Sequence, residues 1–209
     1  MKDKRLAKFR SDRQVTLFRS YKNDCPFHIW AESQLERNTQ RYYEYQLDVI
    51  SFREQPTQYA YVDDNEIDRS YTPDLEITKA SGIELKETKP AIFTRSARTR
   101  ERFNHLRALF SDVKNIKYSY ITDEEVYAGS TTENLKKIHH FRRLSIKNIN
   151  IPNLFKSLGN HTTYVELKTY IESLGLQAKH ALALLGHQIF TFDYQQPLSD
   201  DTTLTATGI

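Results

Sequence analysis

The sequence predicts an α/β domain followed by a small, mainly helical module. Three observations carry this expectation. Runs of four to six residues rich in Val, Ile, Tyr and Phe alternate with helix-start signals up to about residue 128. Beyond Gly129, apolar residues recur at helical spacing instead. The net charge of +3 is also unevenly spread. Residues 1–30 hold eight Lys/Arg against three acids and residues 31–90 seven against thirteen; residues 91–150 hold twelve against six and residues 151–209 three against five. An acidic centre between basic segments suits a cation site served by a phosphate-binding surface.

In order, residues 1–30 combine a basic arm (Lys2, Lys4, Arg5, Lys8, Arg10, Arg13) with β-like stretches at 15–18 and 27–30. The arm could track a DNA backbone or serve as a solubilising tail. Ser33-Gln34-Leu35-Glu36 has the Ser-x-x-Glu form of a capping box, so a helix starts there and Glu36 is expected to cap it. Leu35, Tyr42, Tyr43 and Leu47 follow at helical spacing. Residues 49–52, 58–62, 67–71 and 83–89 read as strands, with Asp63-Asp64-Asn65 as a turn between two of them. Residues 94–112 form a second helix with Phe103, Leu106, Leu109 and Phe110 facing inward and five arginines around it. Residues 116–121 return as a strand, and Thr122-Asp123-Glu124-Glu125 is a second capping box. The boundary is expected near residue 128, giving a catalytic α/β unit at 1–128 and a module at 129–209.

That module reads as helices around 135–144, 152–158, 164–174 and 178–185, the third stopped by Gly175, then an alternating strand at 188–194. Short helices ending in a strand suggest a helix-turn-helix or winged-helix module for DNA or partner docking. Residues 199–209 are polar and expected to be disordered.

Composition excludes several classes. The apolar content of 38% supports a true core, while the longest apolar run, 181–186, is far too short to span a membrane. The basic, polar N-terminus lacks a secretory h-region, and a single cysteine, Cys25, excludes internal disulfides and multi-cysteine zinc sites. A cytoplasmic location is expected. None of the six glycines belongs to a phosphate-cradling Gly-x-x-x-x-Gly-Lys loop, which argues against nucleotide hydrolysis.

The stretch with most chemistry is Tyr71-Thr72-Pro73-Asp74 followed, thirteen residues after the aspartate, by Glu87-Thr88-Lys89. In a strand, Ile83, Leu85, Glu87 and Lys89 share one face, apolar at first and charged at the end. Such a strand is expected to start in a core and emerge at its rim. If Asp74 lies beside Glu87, two carboxylates and an ammonium meet, a set suited to a hard divalent cation and to phosphodiester hydrolysis. The plainer reading is a turn aspartate after proline and a solvated charged edge.

The longer pattern settles between these readings. Phe18-x-Ser20-x-Lys22, Glu32-Ser33-x-Leu35-Glu36-Arg37, Phe52-x-Glu54-Gln55-Pro56, Tyr71-Thr72-Pro73-Asp74 and Glu87-Thr88-Lys89-Pro90 occur in that order. Over about residues 18–144, including Asn134-Leu135, the chain resembles the TnsA family, the endonuclease subunit of heteromeric cut-and-paste transposases. The resemblance implies a restriction-endonuclease-like fold with a PD-(D/E)xK active site. By position it carries over Glu36, Asp74, Glu87 and Lys89 as catalytic residues, the three carboxylates holding Mg²⁺, with Mn²⁺ as a substitute. Glu36 thereby changes from cap to metal ligand. Leu75 stands where an aromatic is usual and Thr88 where an aliphatic is usual, which implies altered packing with the chemistry retained. The third ligand is Glu, where some relatives carry Gln. The family's role implies cutting of the 5′, non-transferred strands of transposon-end DNA. The implied partners are an integrase-type transposase, TnsB, and an ATPase regulator, TnsC, contacted through the C-terminal part. The alternatives are a stand-alone restriction or junction-resolving nuclease, and a non-catalytic adaptor on a nuclease fold.

Overall fold

A four-stranded mixed sheet organises the first of two compact units, Met1–Val126 and Tyr127–Ile209. The computed structural model describes residues 16–22, 28–62, 66–113 and 115–208. The basic arm, Cys25 and the turn at Asp63-Asp64-Asn65 lie outside the described residues.

The first unit runs β1 (Thr16–Arg19), β2 (His28–Ala31), α1 (Gln34–Glu44), β3 (Val49–Glu54), β4 (Tyr59–Val62) and β5 (Asp68–Tyr71). It continues with β6 (Leu75–Lys79), β7 (Gly82–Thr88), α2 (Ala91–Thr94), α3 (Ala97–Ala108), β8 (Lys117–Ile121) and α4 (Asp123–Val126). The main sheet has the order β3-β6-β7-β8. Its first three strands are antiparallel, and β7 pairs with β8 in parallel. A parallel neighbour needs a crossover, and α2 with α3 supplies it. Two antiparallel ribbons, β1-β2 and β4-β5, complete the unit.

The sheet separates two cores. On one face Leu75 and Ile77 of β6 join Phe18, Ile29, Tyr43, Val49, Phe52, Ile121 and Val126, all nearly solvent-free, with Leu35 and Tyr42 packed against them. On the other, Leu85 joins Tyr71, Leu106, Phe110 and Tyr118, with Tyr59 and Tyr61 of β4 alongside. A buried polar latch ties the β1 end to α1: Ser20 Oγ donates to Glu44 Oε2 at 2.7 Å, and Tyr21 N–H to Glu44 Oε1 at 3.1 Å.

Several expectations need correction. Residues 75–79 form a strand, because Leu75 and Ile77 face a core while Glu76 turns to the other side and pairs with Arg53 at 2.8 Å. Leu47 lies beyond α1 and is 56% exposed. The helix expected at 94–112 is divided: Ser96 breaks it by accepting from Thr99 N–H as an N-cap, and residues 109–113 close it in a wider π turn. Ile83 is 44% exposed, so β7 starts at one edge of the core, crosses it at Leu85 and leaves it at the far end.

The second unit contains α5 (Thr131–Phe141), α6 (Ile151–Leu158), β9 (His161–Thr163), α7 (Tyr164–Ser173), α8 (Lys179–Gly186), β10 (Phe190–Thr191) and β11 (Thr203–Ala206). Its three strands are antiparallel in the order β10-β11-β9. The unit is therefore α/β rather than helical. The strand expected at 188–194 contracts to two residues, and β9 and β11 are additions. In the polar segment expected to be disordered, residues 203–206 form β11: Leu204 is fully buried and the strand is seated between β9 and β10. Thr163 and Glu166 form a reciprocal capping box at the start of α7. No helix among the described residues is long and apolar enough to cross a membrane.

Helices α5 and α8 meet at Gly186, where an added Cβ would lie 2.6 Å from the Ile138 carbonyl oxygen. Backbone cannot yield as a side chain can, so the Gly186→Ala protein is expected to lose about 1–3 kcal/mol of stability, the usual range for overpacking. Urea denaturation checks this, and an unchanged midpoint would contradict the close approach.

Candidate functional site

The polar end of β7 gathers the chain's densest chemistry. Gln55 N–H donates to the Asp74 carbonyl at 2.9 Å, holding the residue that leads into β6. Leu75 opposes Lys86 in the β6-β7 register, so one further step sets Asp74 opposite Glu87. The Thr88 N–H donates to Asp74 Oδ2 at 2.8 Å. Lys89 N–H donates to the Ile121 carbonyl at 3.0 Å, extending the β7-β8 ladder by one residue. Its Nζ lies 3.5 Å from Glu87 Oε1 and 5.8 Å from the Tyr120 ring centroid. Ala91 N–H donates to Asp123 Oδ1 at 2.7 Å, so α2 is anchored as it leaves the site. The capping-box pattern at 122–125 is followed by a helix, α4, of a single turn.

Tyr71, the last residue of β5, donates its hydroxyl to Glu87 Oε2 and lies 2.9 Å from the Tyr118 hydroxyl. Phe103 stacks on Tyr120 with centroids 4.3 Å apart, closing an aromatic wall along β8 beside Glu87. The Glu87 and Lys89 side chains keep 16% and 29% exposure, so the cluster is half-buried and reachable from solvent.

Its electrostatics follow from crowding carboxylates in a poorly solvated place. Burial, and next the neighbouring Glu87, push the Asp74 carboxyl up to about 8. The Thr88 amide opposes the rise, Glu36 adds to it, and Lys89 opposes it more weakly. Burial also raises the Tyr71 and Tyr118 phenols, with Glu87 the second cause for each.

Glu36 is reached differently. It stands in the first turn of α1, where Ser33 is the N-cap and accepts from Glu36 N–H at 3.1 Å. Both carboxylate oxygens accept hydrogen bonds at that helix end: Oε1 from Ser33 Oγ at 2.9 Å, Oε2 from Glu32 N–H at 2.8 Å. Its charge acts on Asp74, while each of its oxygens accepts one hydrogen bond at the cap.

Asp74, Glu87 and Lys89 thus come together, and the charge of Glu36 acts on Asp74. An oxygen-only pair whose mutual repulsion is incompletely offset fits a hard divalent cation, which one or two carboxylates plus substrate phosphates commonly hold. No group of three or more His, Cys, Asp or Glu side chains that could hold a metal ion is found among the described residues. Sequence reasoning assigned no role to Tyr71, Tyr118 or Gln55. Their parts depend on where β5, β8 and the β3 end lie, and no local pattern announces that.

Comparisons with known proteins find no matching family model and no matching curated protein.

Two outcomes follow from this geometry. Between about pH 4 and pH 8 an unfolded Asp74 has lost its proton while the folded one retains it. The folded state therefore binds more protons, and stability falls as pH rises through that window. The cost is absent below it and complete above it. Asp74→Asn removes the charge and keeps an acceptor for Thr88 N–H. Without divalent cation, its melting temperature is expected to exceed that of the parent at pH 8, with the advantage shrinking towards pH 4. A pH-independent difference would contradict the assignment. The second outcome concerns Glu36→Gln, which leaves one cap acceptor of two. It is expected to cost about 0.5–2 kcal/mol, as loss of a cap does, and to weaken Mn²⁺ binding less than Asp74→Asn does. Calorimetry of both variants checks this; normal melting with lost Mn²⁺ binding would make Glu36 a ligand.

Proposed function

We propose that this chain is a metal-dependent DNA endonuclease whose first unit is a restriction-endonuclease-like, PD-(D/E)xK catalytic domain. Its proposed role is that of the endonuclease subunit of a TnsA-like transposase, hydrolysing a phosphodiester on the 5′, non-transferred strands of transposon ends. The observation that carries the reading is the gathering of Asp74, Glu87 and Lys89 at the end of β7: Asp74 accepts from Thr88 N–H, the Glu87 charge acts on it, and Lys89 Nζ lies 3.5 Å from Glu87. A turn aspartate and a solvated edge do not explain a carboxyl pushed up to about 8 by burial and a neighbouring carboxylate.

In this reading Asp74 and Glu87 would hold Mg²⁺, which when bound would supply Lewis acidity and lower the pKa of a bound water. The remaining work belongs to the chain. The Lys89 ammonium is partly exposed beside the pair, where it can meet a phosphate and offset the charge that develops during attack. The Thr88 amide fixes Asp74, and the Lys89 amide bond to Ile121 fixes the backbone from which the ammonium projects. The mixed sheet with a parallel final pair and helices against it is compatible with this fold.

The second unit follows the order helix, strand, two helices, two strands from α6 to β11, which we read as a winged-helix arrangement. Docking to protein suits it better than reading DNA, because residues 181–186 of α8 are all buried and offer no face to a groove. We assign it to contact with an ATPase regulator of the TnsC kind, while an integrase-type TnsB partner supplies end recognition. Action on DNA with such partners fits the bacterial cytoplasm.

The test is Asp74→Ala in the reconstituted assembly on labelled transposon-end DNA. Loss of 5′-strand cutting is expected while circular dichroism and melting show a folded chain. Cutting at the parent rate by that folded variant would remove Asp74 from catalysis.

A further inference from the structure

Glu87 and Asp74 have the same hydrogen-bond pattern, one oxygen tied and one open. Oδ2 of Asp74 accepts from the Thr88 amide, and Oε2 of Glu87 accepts from the Tyr71 hydroxyl. No hydrogen bond reaches Asp74 Oδ1 or Glu87 Oε1 among the described residues, and the 3.5 Å approach of Lys89 Nζ to Oε1 is a charge contact. Carboxylates that ligate metals show this division, because an outer partner takes one oxygen and so aims the other.

The two outer partners differ in kind. A backbone amide is fixed by the sheet, whereas a phenol must itself be held. Tyr71 is held: it is 5% exposed, its ring lies 6.0 Å from Phe110 and 5.9 Å from Tyr118, and the Arg102 guanidinium sits 5.6 Å above it. A phenol has one O–H, and that of Tyr71 is committed to Glu87. In the 2.9 Å contact between the two hydroxyls Tyr118 must therefore be the donor. The result is a directed chain from Tyr118 to Tyr71 to Glu87, in which each bond polarises the next.

Resting on the nuclease reading above, we infer that Tyr71, supported by Tyr118, is a positioning residue that orients Glu87 so that its open oxygen and that of Asp74 serve one divalent cation. The β4-β5 ribbon, otherwise peripheral to the sheet, thereby becomes part of the active site. Ring packing alone would make the hydroxyl dispensable; orientation makes it necessary.

Tyr71→Phe and Tyr118→Phe keep the rings and remove one hydroxyl each. The probe is Mn²⁺ alone, with free ion measured by electron paramagnetic resonance against the full chain without DNA. Tyr71→Phe is expected to weaken Mn²⁺ binding roughly 10–100-fold, the range for losing such an outer partner. Tyr118→Phe should shift it less and in the same direction. In the assembled reaction, Tyr71→Phe should raise the Mn²⁺ concentration for half-maximal cutting, while saturating Mn²⁺ restores most of the rate. Binding within twofold of the parent in both variants would overturn the inference and leave the nuclease reading standing. A parent chain that binds no Mn²⁺ at millimolar concentration would overturn both. If Tyr71→Phe fails to fold, parent-like affinity in Tyr118→Phe still counts against the chain of hydroxyls.

Discussion

Holding two carboxylates side by side in a poorly solvated place is the constraint on which the first unit turns. Like charges at close range disfavour each other's ionisation, and burial compounds the cost. The chain bears it at Asp74 and Glu87 because the backbone leaves no alternative: the register of two antiparallel strands sets the residues opposite each other. The Thr88 amide, the Tyr71 hydroxyl and the Lys89 ammonium moderate the repulsion without cancelling it.

Strand β7 reconciles the remaining demands. Its antiparallel partner β6 brings the aspartate, and its parallel partner β8 brings the tyrosines and receives the Lys89 amide. Between the two lies a crossover anchored at its first turn by Asp123. A change of strand direction within one sheet therefore converges groups from β6, β7 and β8 on a single strand end, and β5 of the separate ribbon adds Tyr71 to them. The two cores keep these elements in place from opposite faces.

Much of this was legible in the residues, for reasons that can be named. Alternation alone puts Glu87 and Lys89 on one side of a strand, and the Ser-x-x-Glu pattern at 33–36 foretold Ser33 as the cap of α1, although the Glu36 carboxylate takes Glu32 N–H and Ser33 Oγ rather than the amide of the cap residue. The pairing of Asp74 with Glu87 needed β6, which hid because Pro73-Asp74 reads as a turn and only two apolar residues follow in alternation. Tyr71 was visible as a letter in a motif, but its partner lies sixteen residues away and its support forty-seven. In the second unit a single leucine among threonines turned an apparently loose segment into a strand. Tertiary pairing outweighs composition where one buried side chain completes a sheet.

Strand β11 also has a consequence for the order of folding. It is the last of the described elements, yet it sits between β9 and β10 and bonds to both. Neither neighbour has a sheet partner until residues 203–206 have left the ribosome. Domains generally fold as units, N-terminal first, as synthesis proceeds. The first unit has all its described strands in hand well before then, so the three-stranded sheet of the second closes later. A chain interrupted ahead of Thr203 would carry a finished first unit and an unclosed second one, with two strand edges open to strangers.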